Sequence, residues 1–172
     1  MIDEQDAIRR CQIGDRESFR PIVERYGSVL MGTIYLMVRD RAISEELVQE
    51  TFVRAWNGIA TFRLGRPLKP WLVRIAVNQA LNANARRQTP VEPLSAANEG
   101  GAADPGFGQS DEQHEVRQAL SRLSADHRRV VVLRYFADLS TREAADALGI
   151  REGTVKSRLA RALEQLREIL GS

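Results

Sequence analysis

The chain has 172 residues, 43% hydrophobic and 28% charged, with 25 lysines and arginines against 23 acids and a formal net charge of +2. That length holds one medium domain or two small ones, and no apolar run approaches the roughly 20 residues needed to cross a bilayer. An acidic, polar start around Asp3 is unlike a secretory leader, so a cytoplasmic chain is expected, and a single Cys11 excludes an internal disulfide and a cysteine-rich zinc site. Charge is unevenly spread: residues 1–87 carry 14 cations and 10 acids, residues 88–110 no cation and 3 acids, and residues 111–172 carry 11 cations and 10 acids.

Val and Ile recur at helical rather than alternating spacing, so the expected fold is all-α. Cys11 reads as a small buried thiol on the first helix. Further along, Ile43, Leu47, Val48, Thr51, Phe52, Ala55, Trp56 and Ile59 repeat at steps of three and four and predict a helix with one wide buried stripe. Its opposite face holds Glu45, Glu46, Gln49 and Glu50, which is either a solvated face or a docking surface. A loop with Gly65, Pro67 and Pro70 separates this helix from the next. There Trp71, Leu72, Ile75, Ala76 and Leu81 make the apolar side, while Arg74, Asn78, Asn82, Arg86 and Arg87 make a polar, cationic face suited to nucleic acid. Trp56 reads as core, whereas Trp71, beside the loop, is open to either packing or base stacking.

Residues 88–110, with three prolines, four glycines and no helical period, predict a linker between two small helical domains at 1–87 and 111–172. Beyond it, Val116, Leu120, Leu123, Val130 and Val131 continue a helical pattern, although the VVVL run at residues 130–133 taken alone would also suit a strand. His114 and His127 have no cysteine or carboxylate partner at ligand spacing, and neither a metal nor a cofactor is expected.

The segment LSTREAADALGIREGTVKSRLARA, residues 139–162, is the sharpest local signal. Ser140 and Glu143 form a capping-box pattern, and Ala144, Ala145 and Leu148 line one helix face. Gly149 ends that helix where a left-handed residue is cheapest, and Val155 and Leu159 anchor a second helix. Thr154, Lys156, Ser157, Arg158 and Arg161 populate the remaining faces of the second helix. This is the layout of a helix-turn-helix reader, whose hydroxyls and cations suit phosphate oxygens and base edges.

These segments together resemble an alternative sigma factor of the extracytoplasmic-function (ECF) group, group IV, over nearly the whole chain. GDRESFRPIVERY (14–26), DRAISEELVQETFVRAW (40–56) and WLVRIAVNQALNANARR (71–87) are similar in order and spacing to the family's region 2 helices, and residues 123–167 are similar to its region 4. The resemblance implies that the chain binds core RNA polymerase and promoter DNA, with an anti-sigma factor as a further partner. It implies a cytoplasmic protein, held near the membrane where the anti-sigma factor is membrane-bound, and one that is not an enzyme. By the same transfer Asp40, Glu45, Glu46, Gln49 and Glu50 dock on the clamp helices of the polymerase. Phe62, Arg63, Leu68, Lys69, Trp71, Arg74, Asn78, Asn82, Arg86 and Arg87 meet the minus-10 element. Arg142, Glu152, Thr154, Lys156, Ser157, Arg158 and Arg161 meet the minus-35 element. The chain departs from the family pattern with Ser44 in place of a common alanine, Ser124 in place of a frequent proline, and Arg151 in place of a small helix-capping residue. Leu68 and Pro70 stand where an aromatic and a hydroxyl residue are common.

Two other classes fit less of the chain. A response-regulator output domain shares the Gly-x-x-x-x-Thr-Val-Lys helix but needs an alternating strand-and-helix receiver, which the first half lacks. A small nuclease needs convergent carboxylates or histidines, and the acids here lie on an outward helix face.

Overall fold

The computed structural model describes residues 3–88 and 110–171, so residues 89–109 of the expected linker lie outside the described residues. Every regular element among the described residues is helical. The first block holds α1 (Glu4–Gln12), α2 (Arg20–Val38), α3 (Arg41–Gly58) and α4 (Leu68–Gln88); the second holds α5 (Asp111–Arg122), α6 (Ala125–Val131), α7 (Thr141–Leu148) and α8 (Glu152–Gly171).

The first block is built around α2. Leu30, Met31, Gly32, Thr33, Ile34, Leu36, Met37 and Val38 are all buried, so this helix is apolar around most of its girth and takes the central position. On α1, Ala7, Ile8 and Cys11 face inward, and burial first and nearby Asp15 second push the Cys11 thiol above its ordinary pKa. A short turn carries the chain into α2: Asp15 accepts from the Ser18 hydroxyl at 2.7 Å and from the Glu17 amide at 3.1 Å. These bonds, the Ser18 hydroxyl foremost, hold the Asp15 carboxyl below the usual carboxylate range. Arg39 ends α2 in the left-handed region at φ 60°, and Asp40 then caps α3 by accepting from the Ile43 amide at 3.0 Å. The buried hydroxyls on α3 are satisfied within the helix: Ser44 donates to the Asp40 carbonyl and Thr51 to the Leu47 carbonyl.

In the second block Ser124 caps α6 by accepting from the His127 amide at 3.2 Å, which is how this chain manages without the family proline. The VVVL run is helical: α6 passes into one π-helical turn, Val132–Phe136, that keeps Val130, Val131, Val132 and Leu133 buried. Past that turn the Arg134 guanidinium donates to the Leu139 carbonyl, which joins the end of the π turn to the start of α7.

The two blocks pack on each other. α7 lies along α4, and the π turn lies against α2. Phe136 presses its ring onto Gly32, so closely that a Cβ on residue 32 would overlap the ring. Here glycine serves close approach rather than an unusual φ, and no single-block reading of α2 would demand it.

Candidate polymerase and promoter interface

The outer face of α3 is acidic but partly self-neutralised. Arg41 pairs with Glu45 at 3.0 Å and Arg54 with Glu50 at 2.9 Å, both one helical turn apart and exposed. Exposed pairs of this kind contribute little and exchange readily for other partners. Glu46 and Gln49 stand exposed between them. Val53, 54% exposed, continues the same row and adds an exposed apolar side chain that sequence reasoning missed. An aliphatic residue three past Glu50 on the polar row was the available signal. Asp40 belongs elsewhere: half-buried at the N-terminus of α3, its carboxylate is engaged in capping, so its first duty is to start the helix.

The loop before α4 is more ordered than its Gly and Pro content suggests. Gln12 on α1 donates to the carbonyls of Ile59 at 3.0 Å and Phe62 at 2.8 Å, and Gln5 accepts from the Gly65 amide at 2.8 Å. Gly65 itself has φ +87°, a backbone that disfavours any side chain. Two α1 amides thereby set the loop's shape, a role without a sequence signature because it depends on contacts some 50 to 60 residues apart.

α4 starts at Leu68, one turn earlier than Trp71, because Leu68 is the first of its buried positions. Leu68 is fully buried and Phe62 is 9% exposed, its ring 5.1 Å from that of Trp71. The expectation that these two meet DNA is therefore corrected: both are core side chains that shape the loop, and Leu68 has no surface to offer a base. Lys69 and Trp71 are half-buried, while Arg63, Arg74, Asn78, Asn82, Arg86 and Arg87 are exposed. Arg87 also donates to the Val38 carbonyl at 3.0 Å, closing the end of α2. Trp56 packs edge-on against Phe19 at 5.5 Å, in keeping with a core role.

An open groove runs between α3 and α4, with Trp71 and Ile75 beside the amides of Asn57, Asn78, Gln79 and Asn82. Amides offer both a donor and an acceptor to a base edge, and an indole offers a stacking face. Asn57 was missed by sequence because it sits on α3 and meets the α4 amides only through packing, whereas Gln79, 9% exposed, is largely buried at the floor of the groove.

In the second block the capping box is complete: Ser140 accepts from the Glu143 amide at 3.1 Å, and Glu143 accepts from the Ser140 amide at 2.8 Å. Gly149 closes α7 at φ +65°, and Val155 is fully buried where α8 crosses it. Arg151 starts α8 with its backbone, its carbonyl accepting from Thr154 and Val155. Glu152, Lys156, Ser157 and Arg161 are exposed, as is Arg142 on α7, and Thr154 is half-buried. Arg158 is held back, its side chain only 31% exposed and 3.5 Å from Asp126 on α6. The His127 ring pairs with Gln165 at 2.9 Å and His114 with Gln118 at 3.0 Å.

The packing of the blocks sets α7 against the loop before α4 and the start of α4, with a cleft between them. Glu143 and Asp146 of α7 line it together with Arg63, Arg66, Trp71 and Arg74. In this arrangement two acids of the helix-turn-helix unit line the same cleft as three arginines of the first block. Among the described residues no three potential ligands group as a metal site, and no helix is long and apolar enough to cross a membrane.

Comparison with known proteins accounts for both halves. Residues 22–89 match Sigma-70 region 2 and residues 113–166 match Sigma-70, region 4. The chain is 31% identical to RNA polymerase sigma factor CarQ of Myxococcus xanthus over 95% of each chain. It is 32% identical to ECF RNA polymerase sigma factor SigL of Mycobacterium tuberculosis over 86% of each. Among solved structures, sigma factor RpoE of Bartonella quintana, crystallised with the anti-sigma factor NepR, superposes with a TM-score of 0.72 at 29% identity, covering 90% of this chain and 98% of that one. Two family regions in the family order, on helices that carry an acidic α3 face, an amide-lined groove and a capped helix-turn-helix, place this chain in the ECF group of RNA polymerase sigma factors.

Proposed function

We propose that this sigma factor docks on core RNA polymerase through Glu45, Glu46, Gln49, Glu50 and Val53 of α3. Residues 1–87 then read the minus-10 element with the loop before α4 and the α3–α4 groove, and residues 111–172 read the minus-35 element with α8. The exposed bases of the minus-10 strand meet Trp71 and the amides, while Arg63, Arg74 and Arg86 track phosphates. Lys156, Ser157 and Arg161 enter the major groove, and Arg158 joins them by exchanging Asp126 for DNA. The observation that carries this reading is the pairing of region 2 and region 4 in one chain.

Energetics explain why such a protein works as a subunit. Unstacking costs about 1.4 kcal/mol per base-pair step, and capturing one base on an aromatic returns about 1 to 3 kcal/mol. A single capture cannot open several base pairs, so the polymerase supplies the remainder through backbone contacts. Promoter elements two helical turns apart are about 70 Å apart. The packed blocks must therefore separate on a promoter, and α7 must leave α4. The closed arrangement is thus a resting form, and a partner that holds it closed inhibits, which is the role proposed for a cognate anti-sigma factor, by analogy with the NepR-bound relative. The site of action is the cytoplasm.

Run-off transcription with core polymerase on a genomic fragment library tests the proposal. Specific transcripts that need both core and this chain are expected; tight specific binding to duplex DNA without core would instead identify a self-sufficient regulator.

A further inference from the structure

α1 reaches the loop before α4 with two side chains that work differently. Gln12 only donates, from Nε2 to the Ile59 carbonyl at 3.0 Å and to the Phe62 carbonyl at 2.8 Å. Gln5 works in both directions, accepting from the Gly65 amide at 2.8 Å and donating to the Arg66 carbonyl at 3.3 Å. The two residues are two helical turns apart, so their amides stand on one edge of α1, about 10 Å apart along its axis. Gln12 therefore meets the entry of the loop and Gln5 its exit. The helix is a firm base for both: Ala7, Ile8 and Cys11 are buried, and Glu4 accepts from the Tyr26 hydroxyl of α2 and lies 3.6 Å from Arg25.

Between the two attachments lies one turn. The Arg66 amide donates to the Arg63 carbonyl at 3.4 Å, with Gly65 in the third position at φ +87°, as a type II turn requires. Because the Gly65 N–H points at Gln5, the trans peptide aims the Leu64 carbonyl away from α1. Arg63 and Leu64 stand exposed, and no side chain from Arg63 to Pro67 is buried. The turn thus has no core of its own to hold it, and the α1 amides supply what packing does not.

We propose that Gln5 and Gln12 are positioning residues for minus-10 recognition. They hold the turn at residues 63–66 so that the Arg63 and Leu64 side chains and the outward Leu64 carbonyl meet the unstacked strand in one preformed arrangement. The inference rests on the reading of this loop as a minus-10 surface, and in it neither glutamine touches DNA. A loop that must be ordered on binding loses affinity to that ordering, and preorganisation removes the loss. Charge on Arg63 attracts any strand, whereas the shape of the turn matters only to the bases that fit it. Loss of either attachment should therefore lower discrimination between sequences rather than general attraction to DNA. Glutamate, which only accepts when ionised, can replace Gln5 toward the Gly65 amide but cannot replace Gln12 toward two carbonyls.

Holoenzyme assembled from core polymerase and the full chain, titrated with single-stranded oligonucleotides, tests this. One oligonucleotide carries the minus-10 strand of a promoter recovered by run-off transcription, the other a scrambled sequence, and the readout is the ratio of the two affinities. Gln12→Glu and Gln5→Leu should each lower that ratio at least about fivefold, with the scrambled-strand affinity and its salt slope unchanged. Gln5→Glu should keep the ratio within about twofold of the parent, whereas a role confined to helix stability would give the two glutamate variants the same loss. Gln5→Leu keeps the test decisive if Gln12→Glu does not fold. A ratio retained in Gln5→Leu, equal losses in Gln5→Glu and Gln12→Glu, or scrambled-strand affinity falling in step with that for the minus-10 strand would each overturn the positioning role. A parent holoenzyme that itself fails to discriminate would overturn the minus-10 reading along with it.

Discussion

Replacing Gly32 by alanine should change the sign of its effect with the residue opposite. In the interior of α2 alanine is favoured over glycine by about 0.5 to 1 kcal/mol through backbone entropy alone. In the parent chain the new methyl group would overlap the Phe136 ring, which is half-buried at the seam. Overpacking of this kind costs about 1 to 3 kcal/mol, so the net effect is a destabilisation of about 0 to 2.5 kcal/mol, or an opened seam if that is cheaper. In a Phe136→Ala background the overlap vanishes, and the same Gly32→Ala change should stabilise by up to about 1 kcal/mol. Urea unfolding of the four proteins of this cycle gives the coupling, expected at about 1 to 3 kcal/mol, and small-angle scattering shows whether the single variant relieves the overlap by parting the blocks. Effects that add to within about 0.5 kcal/mol, with no change in radius of gyration, would show that Phe136 does not sit on Gly32 in solution.

Four further outcomes follow from the site. Glu46→Lys with Gln49→Lys should abolish association with core polymerase while helicity measured by circular dichroism is unchanged; retained association would leave the α3 face a solvated one. Lys156→Ala should lower the slope of log affinity against log salt, measured with polymerase on a promoter, by about one unit for one lost phosphate contact. Leu68→Ala should cost about 2 to 5 kcal/mol of stability, read by thermal unfolding, because the side chain is fully buried; a negligible change would return Leu68 to the DNA surface. The Asp15 carboxyl titrates lower in the folded chain than in the unfolded one, so its contribution is present above the unfolded pKa and lost as pH falls through the folded one. Asp15→Asn should therefore flatten the acid side of the stability curve without altering its slope near neutrality.

Much of the site was legible in residue order because the signals are local. Ser140 with Glu143, Gly149, and the three-and-four spacing from Ile43 to Ile59 each act within one or two helical turns, where capping, backbone preference and amphipathicity operate. The family resemblance then assigned those surfaces to polymerase and promoter. What residue order could not supply is any contact between elements remote in the chain. Leu68 and Phe62 look like loop residues available to DNA until α4 is seen to begin at Leu68 and Phe62 to lie on Trp71. Gln5 and Gln12 look like ordinary polar positions on α1 until their amides are found holding the loop from across the block.

The helices, their caps and the helix-turn-helix were determined by the sequence itself, since a hydrogen-bonded turn and an apolar stripe need only neighbours a few residues away. Tertiary structure alone decided that α7 lies on α4, that Phe136 seats on Gly32, and that Gln12 holds the loop before α4. Those features arise where separately formed surfaces meet, and complementarity between two surfaces is a property of the pair that neither segment carries in its own order of residues.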